Sequence, residues 1–311
     1  MWLKTLYRKR AVTWPFIFYT IIWTLSHDNF DMLSLLLKEL DDIRNDIVIH
    51  IDKKSSNVNI ADLKTHCQYS EVSFIESISV TWGAYSQIEC ELALLKAAVK
   101  RNYNYYHLIS GLDFPLKSQD YIHEFFDKND GKEYIQFQQP KIKQRNLERV
   151  MYYYPFQEKV GKKKNFLWFL GKLYKIIQKF LNSNRIKSDK YTFQMGANWF
   201  SITNDLAKYV LEQEKFINDY FKDTINGDEL FLQTIVYNSK FLEKVNTPNF
   251  DNSCHSNMRY VVWENDTPKY FCDSDYDMLI NREELFARKF NVSYSGQLVN
   301  KLKNAKERRY K

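Results

Sequence analysis

Glycine is scarce in this chain, with eight glycines among 311 residues, whereas it averages about 7% in globular proteins. No GxGxxG and no GxxxxGK segment occurs. Both patterns place glycines so that the backbone can approach a dinucleotide or a phosphate chain closely. Their absence excludes the common dinucleotide-binding and P-loop classes.

Cysteine is also sparse, and its four positions are spread along the chain without a CxxC pair: Cys67, Cys90, Cys254 and Cys272. A zinc site or a disulfide framework needs cysteines at closer or more regular spacing. The sequence therefore predicts neither, and it predicts a reducing compartment.

The apolar run at 14–25 is shorter than the roughly 20 residues that a membrane span takes. It follows several Lys and Arg residues, as a signal peptide would, but it contains Pro15 and Tyr19 and lacks a small-residue cleavage site. We interpret it as a buried first β-strand over 16–25 and expect a cytoplasmic protein.

Acidic residues are outnumbered by basic ones, which gives a net charge of +7 and an isoelectric point near 8.9. This excess favours an anionic partner such as a nucleotide sugar, an anionic membrane surface or nucleic acid. Nucleic acid ranks last, because no known binding motif accompanies the charge. Aromatic residues make up 16% of the chain, and their flat faces suit sugar rings.

The first 140 residues alternate strand and helix patterns, which predicts an α/β fold with a parallel sheet between helices. Strands are predicted at 16–25, 46–52, 72–75, 105–109 and 199–202, and helices at 30–40, 88–99, 206–213 and 228–237. Ligands of such sheets bind at the carboxyl ends of the strands. Asp52 and Asp113 follow strand ends and are therefore candidate ligand contacts.

A basic stretch at 159–187 contains nine Lys or Arg residues and no acidic residue. Residues 166–181 within it are predicted to form an amphipathic helix, with Lys172, Lys175 and Lys179 on one face and Leu, Ile and Phe on the other. This pattern is typical of a helix lying on an anionic bilayer, and a solvated lid over an active site is the alternative. The tail at 301–311 is again basic.

Five segments, in this order, resemble the core 2/I-branching β-1,6-N-acetylglucosaminyltransferase family, which also includes peptide O-xylosyltransferases, and the likeness suggests a bacterial-type member. They are VTWGAYS (80–86), YYHLISGLDFPLK (105–117), GANWFSIT (196–203), GDELFLQT (227–234) and ELFARKF (284–290). The resemblance implies a GT-A fold, a UDP-sugar donor, inversion at the anomeric carbon and departure of UDP without a metal ion.

From this resemblance we expect one GT-A catalytic domain over 1–311, with a mixed central sheet. A Rossmann-like nucleotide-binding half would span about 14–140 and an acceptor and catalytic half about 141–300. We expect transfer from UDP-N-acetylglucosamine in β-1,6 linkage to a glycan or lipid-linked oligosaccharide, in surface or capsular polysaccharide synthesis, with no metal or other cofactor. The alternatives are another UDP-sugar such as UDP-xylose, or a glycan-binding protein that has lost catalysis.

Inverting transfer needs a carboxylate that takes the proton from the attacking hydroxyl. Asp228 and Glu229 are predicted to open a helix, where they could simply complement its N-terminus. The resemblance places the family's catalytic base at Glu229, with Asp228 as its neighbour.

The departing diphosphate needs cations or a metal ion. The segment after the fourth strand offers only Asp113, and we interpret the acidic DSDYD segment at 273–277 as a solvated loop. The resemblance assigns the diphosphate to Lys289, and Lys269 is the nearest candidate for a companion cation. Arg288 is expected to face solvent or a carboxylate.

The remaining candidates concern the nucleotide and the acceptor. The resemblance places Asp52 at the uridine, where a turn-forming role is the alternative, and His27 could line the same pocket. Asp113 could orient either substrate or cap its own loop. Trp263 would be an aromatic platform for the acceptor sugar or a core residue on a strand, while Trp82 and Trp199 are expected in the core.

Overall fold

A computed structural model of the protein describes residues 18–24, 30–56, 58–186 and 190–309, with side chains from residue 30 to residue 306 within these ranges. His27 lies outside the described residues. Within them, no helix is both long and apolar enough to cross a bilayer.

Eleven strands are described: β1 Phe18–Thr24, β2 Asn45–Ile51, β3 Glu71–Phe74, β4 Tyr105–Ser110, β5 Asp113–Pro115, β6 Tyr134–Ile135, β7 Phe200–Thr203, β8 Arg259–Val261, β9 Trp263–Glu264, β10 Thr267–Pro268 and β11 Phe286–Arg288. Six of them form the central sheet in the order β3-β2-β1-β4-β7-β6. The first four strands are parallel, while β7 runs antiparallel to β4 and β6. This confirms the predicted α/β fold of GT-A type, with a Rossmann-like first half and a mixed central sheet.

Twelve α-helices are described: α1 Phe30–Leu40, α2 Ile60–Thr65, α3 Tyr85–Ala98, α4 Gln119–Lys128, α5 Gln144–Met151, α6 Gln157–Val160, α7 Phe166–Phe180, α8 Asn204–Glu212, α9 Glu214–Phe221, α10 Phe231–Tyr237, α11 Tyr276–Ile280 and α12 Val292–Arg309. The predicted helices at 30–40, 88–99, 166–181 and 206–213 are confirmed within three residues. The basic tail belongs to the last helix as far as the structure describes it.

The helix predicted from Asp228 starts later, so that this prediction was wrong at its N-terminus. Gly227–Glu229 form a 3₁₀ turn, and the α-helix begins at Phe231. The backbone is left-handed at Asn226, with φ 50°, and Leu230 departs from helical geometry, with φ −128°. Glu229 therefore lies on a tight turn before α10.

The central sheet is covered on both faces, as expected for a mainly parallel sheet. Side chains alternate between the faces of a strand, and along β2 Val48 packs in one buried cluster while Ile47 and Ile49 pack in another. The predicted buried face of α1 is confirmed in the second cluster. A third cluster lies around β5, β11 and α12.

The parallel strands end at one edge of the sheet, and the order reverses between β1 and β4. Ligands of open α/β sheets bind at this kind of switch point. The strands β5, β11 and β8 form a separate three-stranded sheet, and β9 and β10 form a hairpin. Residues from these elements line one cleft together with residues that follow β2 and β4.

Candidate active site

The cleft has a volume of about 1430 Å³. Pockets for single small ligands usually measure about 300–1,000 Å³, so this cleft has room for two substrates. Its lining includes the ends of β2 and β4, the turn at Gly227–Glu229, strand β11 and residues of α5 and α6.

The turn that carries Glu229 is supported by two of the segments that showed the resemblance. The Asn226 N–H donates to the carbonyl of Gly83 at 2.8 Å, and the Gly196 N–H donates to the carbonyl of Glu229 at 3.0 Å. A Cβ at Gly196 would lie 1.7 Å from the carbonyl oxygen of Gln136, so only glycine permits this close packing. The backbone of the candidate base is thus fixed by neighbouring loops.

The Glu229 carboxylate forms an ion pair with Arg149, whose Nη1 lies 2.6 Å from Glu229 Oε2. Arg149 comes from α5, and both side chains line the cleft. The Glu229 side chain remains 34% exposed. A partly exposed carboxylate that is held through one oxygen can accept a proton at the other oxygen.

Asp228 is buried beneath this pair. It accepts hydrogen bonds from Gln87 Nε2 at 3.0 Å and from Asn198 Nδ2 at 3.2 Å. Burial, and then the charge of Glu229, raises the pKa of Asp228 to about 7. Both carboxyl groups line the cleft, but Asp228 is buried whereas Glu229 is partly exposed.

Glu91 is a further buried carboxyl group, one helical turn after Gln87 on α3. Neither of its oxygens has a hydrogen-bond partner among the described residues. Burial, and then the charge of Asp228, raises the pKa of Glu91 well above its ordinary value. Burial thus raises the pKa values of two neighbouring carboxyl groups, Asp228 and Glu91.

Two cations from β11 and the residue after it line the cleft, Arg288 and Lys289. The Arg288 guanidinium lies 4.1 Å from the ring centre of Trp199, and its Nε lies 3.6 Å from Asp113 Oδ1. Among the described residues, Arg288 Nε and Nη1 have no hydrogen-bond partner. Lys289 Nζ lies 4.6 Å from the ring centre of Tyr270. Cationic side chains that line a cleft can bind an anion such as a diphosphate.

Lys269 does not line this cleft. Its Nζ lies 2.8 Å from Asp275 Oδ1, and Asp275 is buried. The prediction of a solvated loop at 273–277 was therefore wrong at Asp275, because this ion pair holds the carboxylate against the protein. The arrangement leaves Lys269 less suited to a diphosphate than Arg288.

Asp113 also lies outside the cleft lining. It is buried, accepts the Ser110 N–H at 2.9 Å and lies beside Arg288. Burial raises the pKa of Asp113, against the lowering effect of Arg288. Its placement fits the loop-capping alternative and a role in holding Arg288. Arg288 thus faces a carboxylate, the second of the two predicted surroundings.

Asp52 is buried at the end of β2 and lines the cleft. Its Oδ1 accepts the Lys54 N–H at 2.9 Å, and Lys54 Nζ lies 3.6 Å from its Oδ2. The turn-forming alternative is therefore observed, while the uridine contact stays a prediction. His27, assigned to the same pocket, belongs to the part of the chain that is not described.

The tryptophans separate into two environments. Trp263 is 65% exposed on the hairpin at the cleft rim, so it is not a core residue. Trp199 is buried, as predicted. The prediction of a core Trp82 was wrong: it is 43% exposed and lines the cleft. The following Gly83 has φ +72°, and this turn leaves the indole at the surface.

The basic stretch contributes Lys159, Lys162 and Lys163 to the cleft lining, a placement that fits the lid alternative. Two of the three lysines predicted on one face of α7 pair with a residue of α5. Lys175 and Lys179 lie 2.9 and 2.7 Å from the Glu148 carboxylate and so face the protein.

Sequence reasoning missed that Arg149 and Arg288 line the cleft and that the buried Glu91 lies near Asp228. Arg288 had a signal, because it adjoins Lys289 in a segment that carries the resemblance. Arg149 and Glu91 had none, because an ion pair over 80 residues and a buried acid on an apolar helix face become visible only in three dimensions.

Comparison with known proteins identifies a family and a human relative. The model of the "Branch: Core-2/I-Branching enzyme" family matches residues 22–282. A human beta-1,3-galactosyl-O-glycosyl-glycoprotein beta-1,6-N-acetylglucosaminyltransferase is 24% identical over 220 residues, which cover 67% of this chain and 46% of that protein. The chain thus spans about half the length of this relative.

Two solved structures show weaker likenesses. Mouse xyloside xylosyltransferase 1 aligns with a TM-score of 0.34 and 12% identity over 71% of this chain and 81% of its own. S. aureus TarS aligns with a TM-score of 0.27 and 15% identity over 36% of this chain and 20% of its own. Alignments this weak give no evidence about the fold beyond what the sheet topology shows.

Proposed function

The chain belongs to the Core-2/I-branching enzyme family and is a glycosyltransferase, and we propose that it transfers N-acetylglucosamine from UDP-N-acetylglucosamine to a glycan in β-1,6 linkage. The name of the human relative, a β-1,6-N-acetylglucosaminyltransferase, supports this donor and linkage. The observation that carries the proposal is that one cleft is lined by Glu229 and by the cations Arg288 and Lys289.

Glu229 would act as the general base of a single in-line displacement. Its carboxylate takes the proton of the acceptor hydroxyl while that oxygen attacks the anomeric carbon. The bond from the anomeric carbon to the UDP oxygen breaks, and its electron pair leaves with UDP. Arg149 holds one carboxylate oxygen at 2.6 Å, so that the other can face the acceptor.

Arg288 and Lys289 would stabilise the leaving UDP in place of a metal ion. Charge develops on the diphosphate as the bond breaks, and fixed donors aimed at that charge lower the barrier. Arg288 is oriented by Asp113 and Trp199, so little reorganisation is needed. Because Lys269 forms an ion pair with Asp275, Arg288 is the better candidate to bind the diphosphate together with Lys289.

A panel of UDP-sugars, including UDP-N-acetylglucosamine and UDP-xylose, tests the proposal by binding and by mass spectrometry of glycan products. We expect turnover with UDP-N-acetylglucosamine that survives EDTA and exhaustive dialysis. Turnover lost on chelation and restored by manganese would contradict the metal-free mechanism. Glycan binding without UDP affinity would favour the inactive glycan-binding alternative.

We also propose that the enzyme acts in the cytoplasm at the inner face of the membrane, on a lipid-linked oligosaccharide for surface or capsular polysaccharide. The net positive charge and the basic stretch at 159–187 support contact with anionic lipid. A higher kcat/KM for a lipid-linked oligosaccharide than for the same free oligosaccharide is the expected result. Equal kcat/KM values for the two acceptors would contradict a lipid-linked acceptor.

A further inference from the structure

Helix α7 carries an unusual concentration of exposed apolar side chains. Half of the large hydrophobic side chains that the described residues expose lie at 166–181. Five of them follow helical spacing along one stripe, which we call the apolar stripe: Phe166, Phe169, Leu173, Ile176 and Phe180. Phe166 is 72% exposed and Phe180 is 86% exposed. A stripe of this kind normally faces a core, and here it faces outward.

The opposite side of α7 is polar and faces the protein. Gln178 is buried and exchanges hydrogen bonds with the backbone of Tyr153, at 2.8 Å to its N–H and 3.0 Å to its carbonyl. Lys175 and Lys179 pair with Glu148 and lie over the ring of Tyr152. The helix thus docks through hydrogen bonds and ion pairs and leaves its apolar stripe unburied.

The surroundings of the stripe are cationic. Lys162, Lys163, Lys164 and Lys172 are exposed before and along α7, and the helix contains no acidic residue. A twofold contact with a second copy would bring two such positive surfaces together, which costs energy. An anionic lipid surface instead offers apolar chains for the stripe and negative headgroups for the lysines.

We propose that the apolar stripe of α7 inserts into an anionic lipid bilayer at the boundary between headgroups and acyl chains. The inference rests on the proposed function for its membrane setting and adds the surface that binds and its orientation. The binding residues are the apolar side chains, whereas Lys175 and Lys179 join the helix to the protein.

This orientation brings the membrane to the mouth of the cleft. Lys163 lines the cleft, and Phe166 begins the stripe three residues later, at most about 11 Å along the chain. A sugar acceptor whose lipid anchor stays in the bilayer could therefore enter the cleft beside the bound helix.

Vesicle binding of the full chain tests the proposal, with vesicles of phosphatidylglycerol mixed with phosphatidylcholine and of phosphatidylcholine alone. Phe166→Ser, Phe169→Ser and Phe180→Ser should each weaken binding to the mixed vesicles about tenfold, because each removes a buried ring. Ile60→Ser and Tyr69→Ser remove other exposed apolar side chains, outside the stripe, and should leave binding unchanged. Lys164→Gln with Lys172→Gln should reduce only the preference for phosphatidylglycerol.

UDP affinity and transfer to a soluble acceptor should stay normal in the phenylalanine variants, so that failure of docking and failure of the proposed chemistry are distinguishable. Two results would overturn the proposal. One is a wild-type chain that ignores the mixed vesicles at low salt, or variants that bind them as the wild type does. The other is a wild-type dimer in sedimentation that the phenylalanine variants abolish, which would make a second copy the occupant.

Discussion

Arg149 Nη1 lies 2.6 Å from Glu229 Oε2, and this ion pair joins α5 to the turn before α10. The next residue back along α5, Glu148, binds Lys175 and Lys179 of α7. Two adjacent residues of one short helix thus connect the candidate base and the surface helix to the same element.

Arg149→Met should lower kcat about 10- to 100-fold and leave UDP affinity unchanged, since a charge-assisted hydrogen bond contributes about 1.5–3 kcal/mol. The acid limb of the kcat profile should move to higher pH, because Asp228 loses a neighbouring cation that lowers its pKa. Arg149→Lys should restore part of both effects. A pH profile identical to that of the wild type would contradict a positioning role.

Lys289→Met should weaken UDP binding about 10- to 100-fold, because one charge-assisted bond to the diphosphate is lost. Arg288→Lys, which keeps the charge but loses the planar donor set, should weaken it less. Lys269→Met is the matched control and should leave UDP affinity within about twofold. Titration calorimetry checks all three, and a larger effect at Lys269 than at Lys289 would reverse the assignment.

The fold could be predicted from sequence because the apolar periodicity of its elements is strong. Leu33, Leu36, Leu37 and Leu40 fix the buried face of α1, and the apolar residues of β2 indicate a buried strand. The turn at Gly227–Glu229 could not be predicted this way, because the acids and apolar residues that follow fit a regular helix. The left-handed Asn226, held by Gly83, sets the turn instead.

The placement of a candidate residue could be predicted when it belongs to a recognisable segment. It was predicted less well when an ion-pair partner from another part of the chain determines it. Glu229 and Lys289 were predicted from their segments, and the structure places both side chains at the cleft. Lys269 was chosen by proximity in sequence, whereas its partner Asp275 directs it elsewhere. The amphipathic pattern of α7 predicted the helix but not which face points outward, because Glu148 lies in a separate helix.

Glu91→Gln should stabilise the protein at neutral and alkaline pH. The folded state raises the pKa of Glu91 above its ordinary value of 4.5, so that stability is lost as the pH rises through the folded value. Replacing the acid by a neutral side chain removes this loss and should raise the melting midpoint at pH 8 by about 2 °C or more. Stability would still fall somewhat with rising pH in this variant, because the pKa values of Asp228 and Glu133 are also raised, to about 7. A midpoint at pH 8 equal to or below that of the wild type would contradict the prediction.

Trp263→Ala should raise the KM for the glycan acceptor about tenfold while leaving UDP affinity unchanged, because an exposed indole at the rim offers a face to a sugar ring. Tyr69→Ala removes another exposed ring, away from the cleft, and should change neither value. Steady-state kinetics with a soluble acceptor provide the measurement. An unchanged KM would leave Trp263 without a role in acceptor binding.

Glu229→Gln tests the central claim most directly, because it removes the proposed base while keeping the size of the side chain. Transfer from UDP-N-acetylglucosamine should fall about 10²-fold or more, with UDP affinity and the melting midpoint close to those of the wild type. Asp228→Asn, which changes the buried neighbouring residue, should lower the rate of transfer less. Near-normal turnover in Glu229→Gln would contradict the account, whatever the outcome at the other positions.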